Sequence, residues 1–249
     1  MKNILLQLIG WKAILIQGDP TVTDRWCWLQ NYIQSGAKRT LDAGCGQGQF
    51  TMYCSQLGNQ SVGLAFSSQD IHNAQIRADI LCLSDIEFQV VDLRHLDEFT
   101  DQLGTFDQIL LLETLEHIFD DTKVLADIYQ LLRPGGILLV TTPSIDHYPL
   151  WGEKLSEYED GGHVRWGYSQ KDLVTLLEKF GIEILHQDYI SGIVSQKLAS
   201  WEFGLRKYNT LLSRAVTLPL RIFHFLDQPL TKLLNYPHLS VGIVGRKPL

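Results

Sequence analysis

The segment Leu41-Asp-Ala-Gly-Cys-Gly-Gln-Gly places Gly44, Gly46 and Gly48 at alternate positions. Backbone without Cβ atoms can come close to a ligand and turn its amides toward it. The spacing is GxGxG, with Gln49 where a dinucleotide fingerprint carries its last glycine, which points away from nicotinamide and flavin cofactors. Farther along, Glu113, Glu116 and His117 fall within five residues. Two carboxylates and an imidazole can converge on a divalent cation such as magnesium when a fourth ligand arrives from elsewhere, and His163 in Gly161-Gly-His-Val-Arg-Trp is the natural fourth. Without a cation, His117 or His163 has the basicity to take a hydroxyl proton near neutrality. Either histidine could equally be a packed loop residue.

Elements of suitable type surround these residues. Near-continuous apolar runs at 39–43, 61–66, 86–92, 106–112 and 136–142 read as strands, and helical stretches separate them. The helix over 121–132 ends at Pro134-Gly-Gly, and Ser169 with Asp172 makes a capping box for another. Alternation of this kind means a parallel sheet covered on both faces, with its ligand beyond the carboxyl ends of the strands. Before the first strand, Ile4, Leu8, Trp11 and Leu15 share one helical face, and Asp19-Pro20 offers a cap and first-turn proline for a helix running to Gln34. Between the strands at 182–186 and 240–245, residues 195–236 carry six basic residues against two acidic ones. That segment reads as helices broken at Pro219 and Pro229.

Composition narrows the classes. The chain has 249 residues, 45% hydrophobic, with a net charge of −7. Collagen, coiled coil and disorder are excluded by composition, and the acidic balance argues against duplex nucleic acid as partner. Cys27, Cys45, Cys54 and Cys82 form no CxxC pair, which fits a reducing, cytoplasmic setting better than a zinc knuckle or a disulfide scaffold. No uninterrupted apolar run is long enough for a membrane span.

The glycine loop, Phe106-Asp-Gln-Ile with Leu115-Glu-His-Ile, and Leu131-Leu-Arg-Pro-Gly-Gly-Ile-Leu-Leu-Val occur in an order that resembles the motif series of class I S-adenosylmethionine-dependent methyltransferases. The match covers roughly residues 38 to 190 plus the last strand. It implies a Rossmann-like, seven-stranded, mostly parallel α/β sheet with helices on both faces and an antiparallel last strand. It also implies roles for individual residues. Gly44, Cys45, Gly46 and Gly48 would face the methionine part of S-adenosylmethionine, and Asp42 would set the loop or reach the amino group. Asp92 would bind the adenine amine with Leu93 supplying a backbone contact, and Glu113 would lie beside the transferring methyl. The Glu113, Glu116, His117 pattern is similar to that of ubiquinone-biosynthesis O-methyltransferases and small-RNA 2′-hydroxyl methyltransferases, where such a cluster holds a metal. In other relatives the same residues serve without one.

One position departs from the family. An acidic residue usually ends the second strand to accept the ribose hydroxyls, and here Ala65 stands there. A methyl cannot accept a hydrogen bond. Gln69 and Asp70 at the start of the next helix are the candidates to replace it, as in cyclopropane-type relatives, although Ser67-Ser-Gln-Asp is also a capping box.

The expected organisation is an N-terminal helical lid over 1–37, a core over 38–190 and 238–249, and a helical insertion over 191–237. The leading expectation is O-methylation of a small hydroxylated, apolar metabolite. The rivals are a lipid or small-molecule C-methyltransferase similar to cyclopropane synthases, and a cofactor-binding module without catalysis. The insertion, with Trp201, Leu211, Leu212, Ile222 and Phe223, could cover an apolar acceptor, form a homodimer through 195–236, or lie peripherally on an anionic membrane.

Overall fold

The computed structural model describes residues 2–18 and 20–249. Seven strands form one sheet: β1 (Arg39–Ala43), β2 (Gln60–Ala65), β3 (Ile86–Val90), β4 (Phe106–Leu112), β5 (Leu132–Pro143), β6 (Glu183–Ile190) and β7 (Ser240–Arg246). Their order is β3-β2-β1-β4-β5-β7-β6. The first five are parallel, and β7 lies antiparallel between β5 and β6. This is the mostly parallel sheet that the motif series implies. The strand order switches direction between β1 and β4, which opens a crevice beyond their carboxyl ends.

Helices α1 (Lys2–Ile9), α2 (Lys12–Gln17) and α3 (Pro20–Leu29) precede β1. Helices α4 (Gln49–Gln56), α5 (Ser68–Ile80), α6 (Thr100–Leu103), α7 (Asp121–Leu131) and α8 (Gln170–Glu178) connect strands. The insertion between β6 and β7 holds α9 (Ile193–Arg206), α10 (Thr210–Leu220) and α11 (Asp227–Leu233). Side chains alternate across each strand, so the sheet carries two apolar layers. Ile109, Leu111 and Val140 pack with α7 and α8 on one face, while Leu110, Leu112 and Leu139 pack with Trp28, Phe50 and Tyr53 on the other.

The first helix departs from expectation. Gly10, at φ +64°, separates α1 from α2 and turns their faces apart. Trp11 and Leu15 are buried, whereas Ile4 and Leu8 are exposed. Helix α3 stops at Leu29, short of Gln34, and Asp19, the expected cap, lies outside the described residues. Two breaks of the insertion lie beside its prolines, since α10 gives way to a 3-10 turn at 221–226 just after Pro219 and α11 starts two residues before Pro229. Pro229 sits in the first turn of α11, where its missing N–H is not needed, and Pro219 sits in the last turn of α10. The chain also turns at 207–209, a break with no proline, where the Asn209 side chain accepts from the amides of Leu211 and Leu212 to cap α10.

Candidate active site

The loop after β1 is held against β2 by the amides of Gly44 and Cys45, which both donate to the Leu64 carbonyl at 2.9 and 2.8 Å. Gly44 has φ +90°, and a Cβ there would collide with the Thr114 side chain. Gly46, at φ +51°, has open space where its Cβ would be, with nothing within 4 Å. Both glycines line a cavity of about 260 Å³ at the strand ends. Gly48 stands behind it as the N-cap of α4, and Cys45 is buried against Ala65, Ile71 and Phe88. Asp42 is also buried outside the cavity wall. Its carboxylate accepts a 2.6 Å hydrogen bond from Thr51 of α4, and burial without a countercharge pushes its carboxyl up to about 6. Asp42 thus ties the end of β1 to α4 and does not line the cavity.

The two ribose candidates part company. Asp70 lines the cavity and accepts from the Gln47 side chain at 2.9 Å, while its amide donates to the capping Ser67 hydroxyl. Gln69 lies outside the cavity lining, with its amide on Asn73, one turn along the exposed face of α5. Across the cavity, Leu93 and Asp92 follow β3. The Asp92 carboxylate accepts from the amide and guanidinium of Arg94, which hold its carboxyl below the usual range. Arg94 also donates to Glu159 at 3.0 Å, and the other Glu159 oxygen accepts from the Phe119 amide. The loop after β5 is thereby drawn over the cavity. Asp70, Asp92, Glu113 and Glu159 against Arg94 make the lining predominantly acidic.

Glu113 leaves β4 at φ +49°, a left-handed conformation costly for a residue with a Cβ. One carboxylate oxygen lies 3.4 Å from both Arg25 of α3 and the Ser240 hydroxyl of β7, and the other is buried without a hydrogen bond. Glu116 is fully buried. Its Oε2 accepts from Thr142, and its Oε1 makes no hydrogen bond but lies 3.9 Å from the His117 Nε2, while burial and then the nearby Glu113 raise its carboxyl well above the usual range. His117 lines the cavity with Nδ1 3.0 Å from the Gly162 carbonyl, and burial lowers its pKa. His163 packs edge-on against the His117 ring, with centroids 4.8 Å apart. The His163 Nδ1 lies 3.4 Å from Glu153, an ion-pair distance without hydrogen-bond alignment. Glu153 also meets His147 at 3.2 Å and accepts from the Leu150 amide.

Ligand atoms of Glu116, His117 and His163 lie within 4.8 Å of one another. Glu113 is outside that group, so the expected four-membered set is not assembled. The reason is Arg25 and Ser240, which hold the Glu113 carboxylate from elements far away in sequence. Neither residue carries a local signal, and Glu153 sits in a loop without a motif. Arg94, two residues after Asp92, was within reach of a charge-pairing argument.

A family profile described as a methyltransferase domain matches residues 28–187. The ubiquinone biosynthesis O-methyltransferase of Nitrosococcus oceani is 33% identical over 115 residues, which are 46% of this chain and 48% of that protein. The chain thus aligns with about half the length of that relative. Among solved structures, the [4+2]-cyclase SpnF superposes with a TM-score of 0.62 at 20% identity, over 91% of this chain and 82% of the other. Coclaurine N-methyltransferase, bound to N-methylheliamine and S-adenosylhomocysteine (SAH), gives a TM-score of 0.60 at 16% identity, over 92% and 72%.

Proposed function

Because the chain belongs to the class I S-adenosylmethionine-dependent methyltransferases, we propose that it methylates the hydroxyl oxygen of a small metabolite, with His117 as the proton acceptor. The residues present fit the cofactor. Gly46 leaves room for a ligand against bare backbone, and an acidic lining suits a cationic sulfonium better than a phosphate-bearing dinucleotide. Gly44, Gly46, Asp70, Asp92 and Leu93 are the residues that would hold it. When bound, S-adenosylmethionine supplies an electrophilic methyl group on a positively charged sulfur.

What this chain adds is position and a base. In-line transfer gains most of its rate from holding the two reactants at attack distance and excluding water. The Arg94–Glu159 pair draws the loop over the cavity, and Glu113, held by Arg25 and Ser240, closes the end of β4. The observation that carries the hydroxyl reading is His117. Its Nδ1 points at a carbonyl and burial disfavours its charged form, so at neutral pH the unprotonated nitrogen is Nε2, 3.9 Å from the Glu116 Oε1 on a ring that lines the cavity. Amines and carbanions that are already unprotonated have no need of such a base. The name of the Nitrosococcus relative also agrees with an oxygen acceptor.

The test is incubation of the purified chain with the cofactor and a panel of catechols, hydroxylated polyprenyl phenols and secondary amines, with products read by mass spectrometry. Methyl ethers, lost in His117→Ala while SAH binding persists, are expected. Methylation at carbon or nitrogen only would overturn the oxygen assignment, and absence of cofactor binding would overturn catalysis. Activity abolished by a chelator and restored by magnesium would assign Glu116, His117 and His163 to a cation in place of the free-base role.

A further inference from the structure

Helix α10 is folded with its polar side inward. Its buried residues are Ser213 and Thr217, whose hydroxyls donate to the carbonyl and the carboxylate of Glu202. Its outward side is apolar. Leu211 is 70% exposed, and Leu212 and Val216 follow on the same helical stripe. The stripe continues into the 3-10 turn at 221–226, where Ile222 is 72% exposed, alongside Phe223 and Phe225. A helix in water places these two sides the other way round, and a contiguous apolar surface of this kind marks a docking face.

Charge states what the face meets. The two acidic residues of the insertion, Glu202 and Asp227, are both buried, the first among Arg206, Arg221 and Thr217, the second on the amides that open α9. The exposed charges of residues 193–236 are Lys197, Arg206, Lys207 and Lys232, all basic, on a chain whose net charge is −7. Arg221 donates to the Gly18 carbonyl at 2.6 Å, which joins α10 to the end of α2 beside the exposed Ile16. Residues 1–18 contain no Asp or Glu. A second copy of the chain, meeting this face symmetrically, would set like charges against like.

We propose that α10 and the turn after it dock on an anionic phospholipid surface, with the apolar stripe in the acyl boundary and the lysines at the headgroups. Large apolar residues on one side and cations around them are what an interfacial helix requires. The docking does not depend on which acceptor the cavity takes. The same insertion holds the loop that covers the cavity, since the Trp151 amide donates to Ser200 of α9 at 2.8 Å and the Trp151 ring packs on Gly204.

The experiment is co-sedimentation of the full chain with vesicles of phosphatidylcholine alone and of phosphatidylcholine mixed with phosphatidylglycerol, at low and high salt. Binding to the anionic vesicles should exceed binding to the neutral ones by about tenfold or more and weaken with salt. A Leu211→Gln, Leu212→Gln, Phe223→Gln variant should lose it, and Lys197→Gln with Lys232→Gln should weaken it, both at unchanged melting temperature. All five side chains are exposed, so neither variant disturbs the core. Equal sedimentation with both vesicle types, or undiminished binding by the triple variant, overturns the proposal. So does a concentration-dependent dimer that the triple variant abolishes, which would give the face to a second copy.

Discussion

The Nδ1 of His117 lies 3.0 Å from the carbonyl oxygen of Gly162. A carbonyl only accepts, so Nδ1 carries the proton and Nε2 is the basic nitrogen. Burial lowers the pKa of the ring below its ordinary value of 6.5. If this nitrogen takes the acceptor's proton, kcat/KM is flat from neutral pH upward and falls as pH drops through that lowered pKa. His117→Ala should reduce the plateau by about 10²- to 10⁴-fold and remove the acid limb. An acid limb that survives in the variant would assign it to another group.

Gly44 and Gly46 differ in what stands where a Cβ would go, and this separates folding from binding. Gly44→Ala meets the Thr114 side chain and a φ of +90°. Overpacking together with a left-handed backbone should cost about 2–5 kcal/mol of stability. Gly46→Ala meets nothing within 4 Å and bears only the backbone cost of about 1–2 kcal/mol. Its methyl projects into open space at the cavity, so SAH affinity should fall tenfold or more while the melting temperature drops by only about 2–8 °C, less than in Gly44→Ala. Calorimetric binding and thermal melts of the two variants check the contrast, which fails if Gly46→Ala binds like the parent.

Asp42 makes stability depend on pH in an unusual direction for a carboxylate. In the fold its carboxyl is pushed up to about 6, against 3.8 ordinarily. The folded chain therefore keeps a proton that the unfolded chain gives up. Stability from this group is complete below about pH 4, is lost as pH rises through about 6, and stays lost above. At 1.36 kcal/mol per pH unit the loss is up to about 3 kcal/mol. Asp42→Asn, which keeps an oxygen for the Thr51 hydroxyl, should be more stable than the parent at pH 7.5 and show no gain at pH 4. An equal gain at both pH values in chemical denaturation would rule out the ionisation as its cause.

These residues differ in how far local pattern reaches. The loop at Asp42–Gly48, the strand β4 leading to Glu113, and the capping Ser169 are each written in a few adjacent residues, and they fold as read. Gly10 was hidden inside an apolar run, so two helices read as one face. Gln69 and Asp70 are adjacent in sequence, and only the angle of α5 decides that Asp70 alone lines the cavity. The partners of Glu113 and His163 were beyond reach for another reason. Arg25, Ser240 and Glu153 come from α3, β7 and a loop, and each is an ordinary polar residue in its own segment until the sheet brings the strand ends together.

Glu202 holds the insertion together from inside. Its carboxylate is 1% exposed and lies 2.6 Å from Arg206, 3.0 Å from Arg221 and 3.2 Å from the Thr217 hydroxyl. Removing the Glu202 charge leaves Arg221, 17% exposed, without compensation while the exposed Arg206 turns to water, so the cost lies at the low end for a buried pair, about 3 kcal/mol. Glu202→Gln keeps the shape and removes the charge. The penalty falls on the contact of α9 with α10 and on the tether from Arg221 to Gly18, not on the sheet, whose core does not include Glu202. Trypsin should therefore cut the variant at Arg206 or Lys207, next to the turn into α10, about 10²-fold faster, because proteolysis follows the population of the opened form. A fragment ending there, with the rest of the chain still protected, is the expected product. Uniform digestion of the whole chain would mean that the insertion and the sheet unfold together.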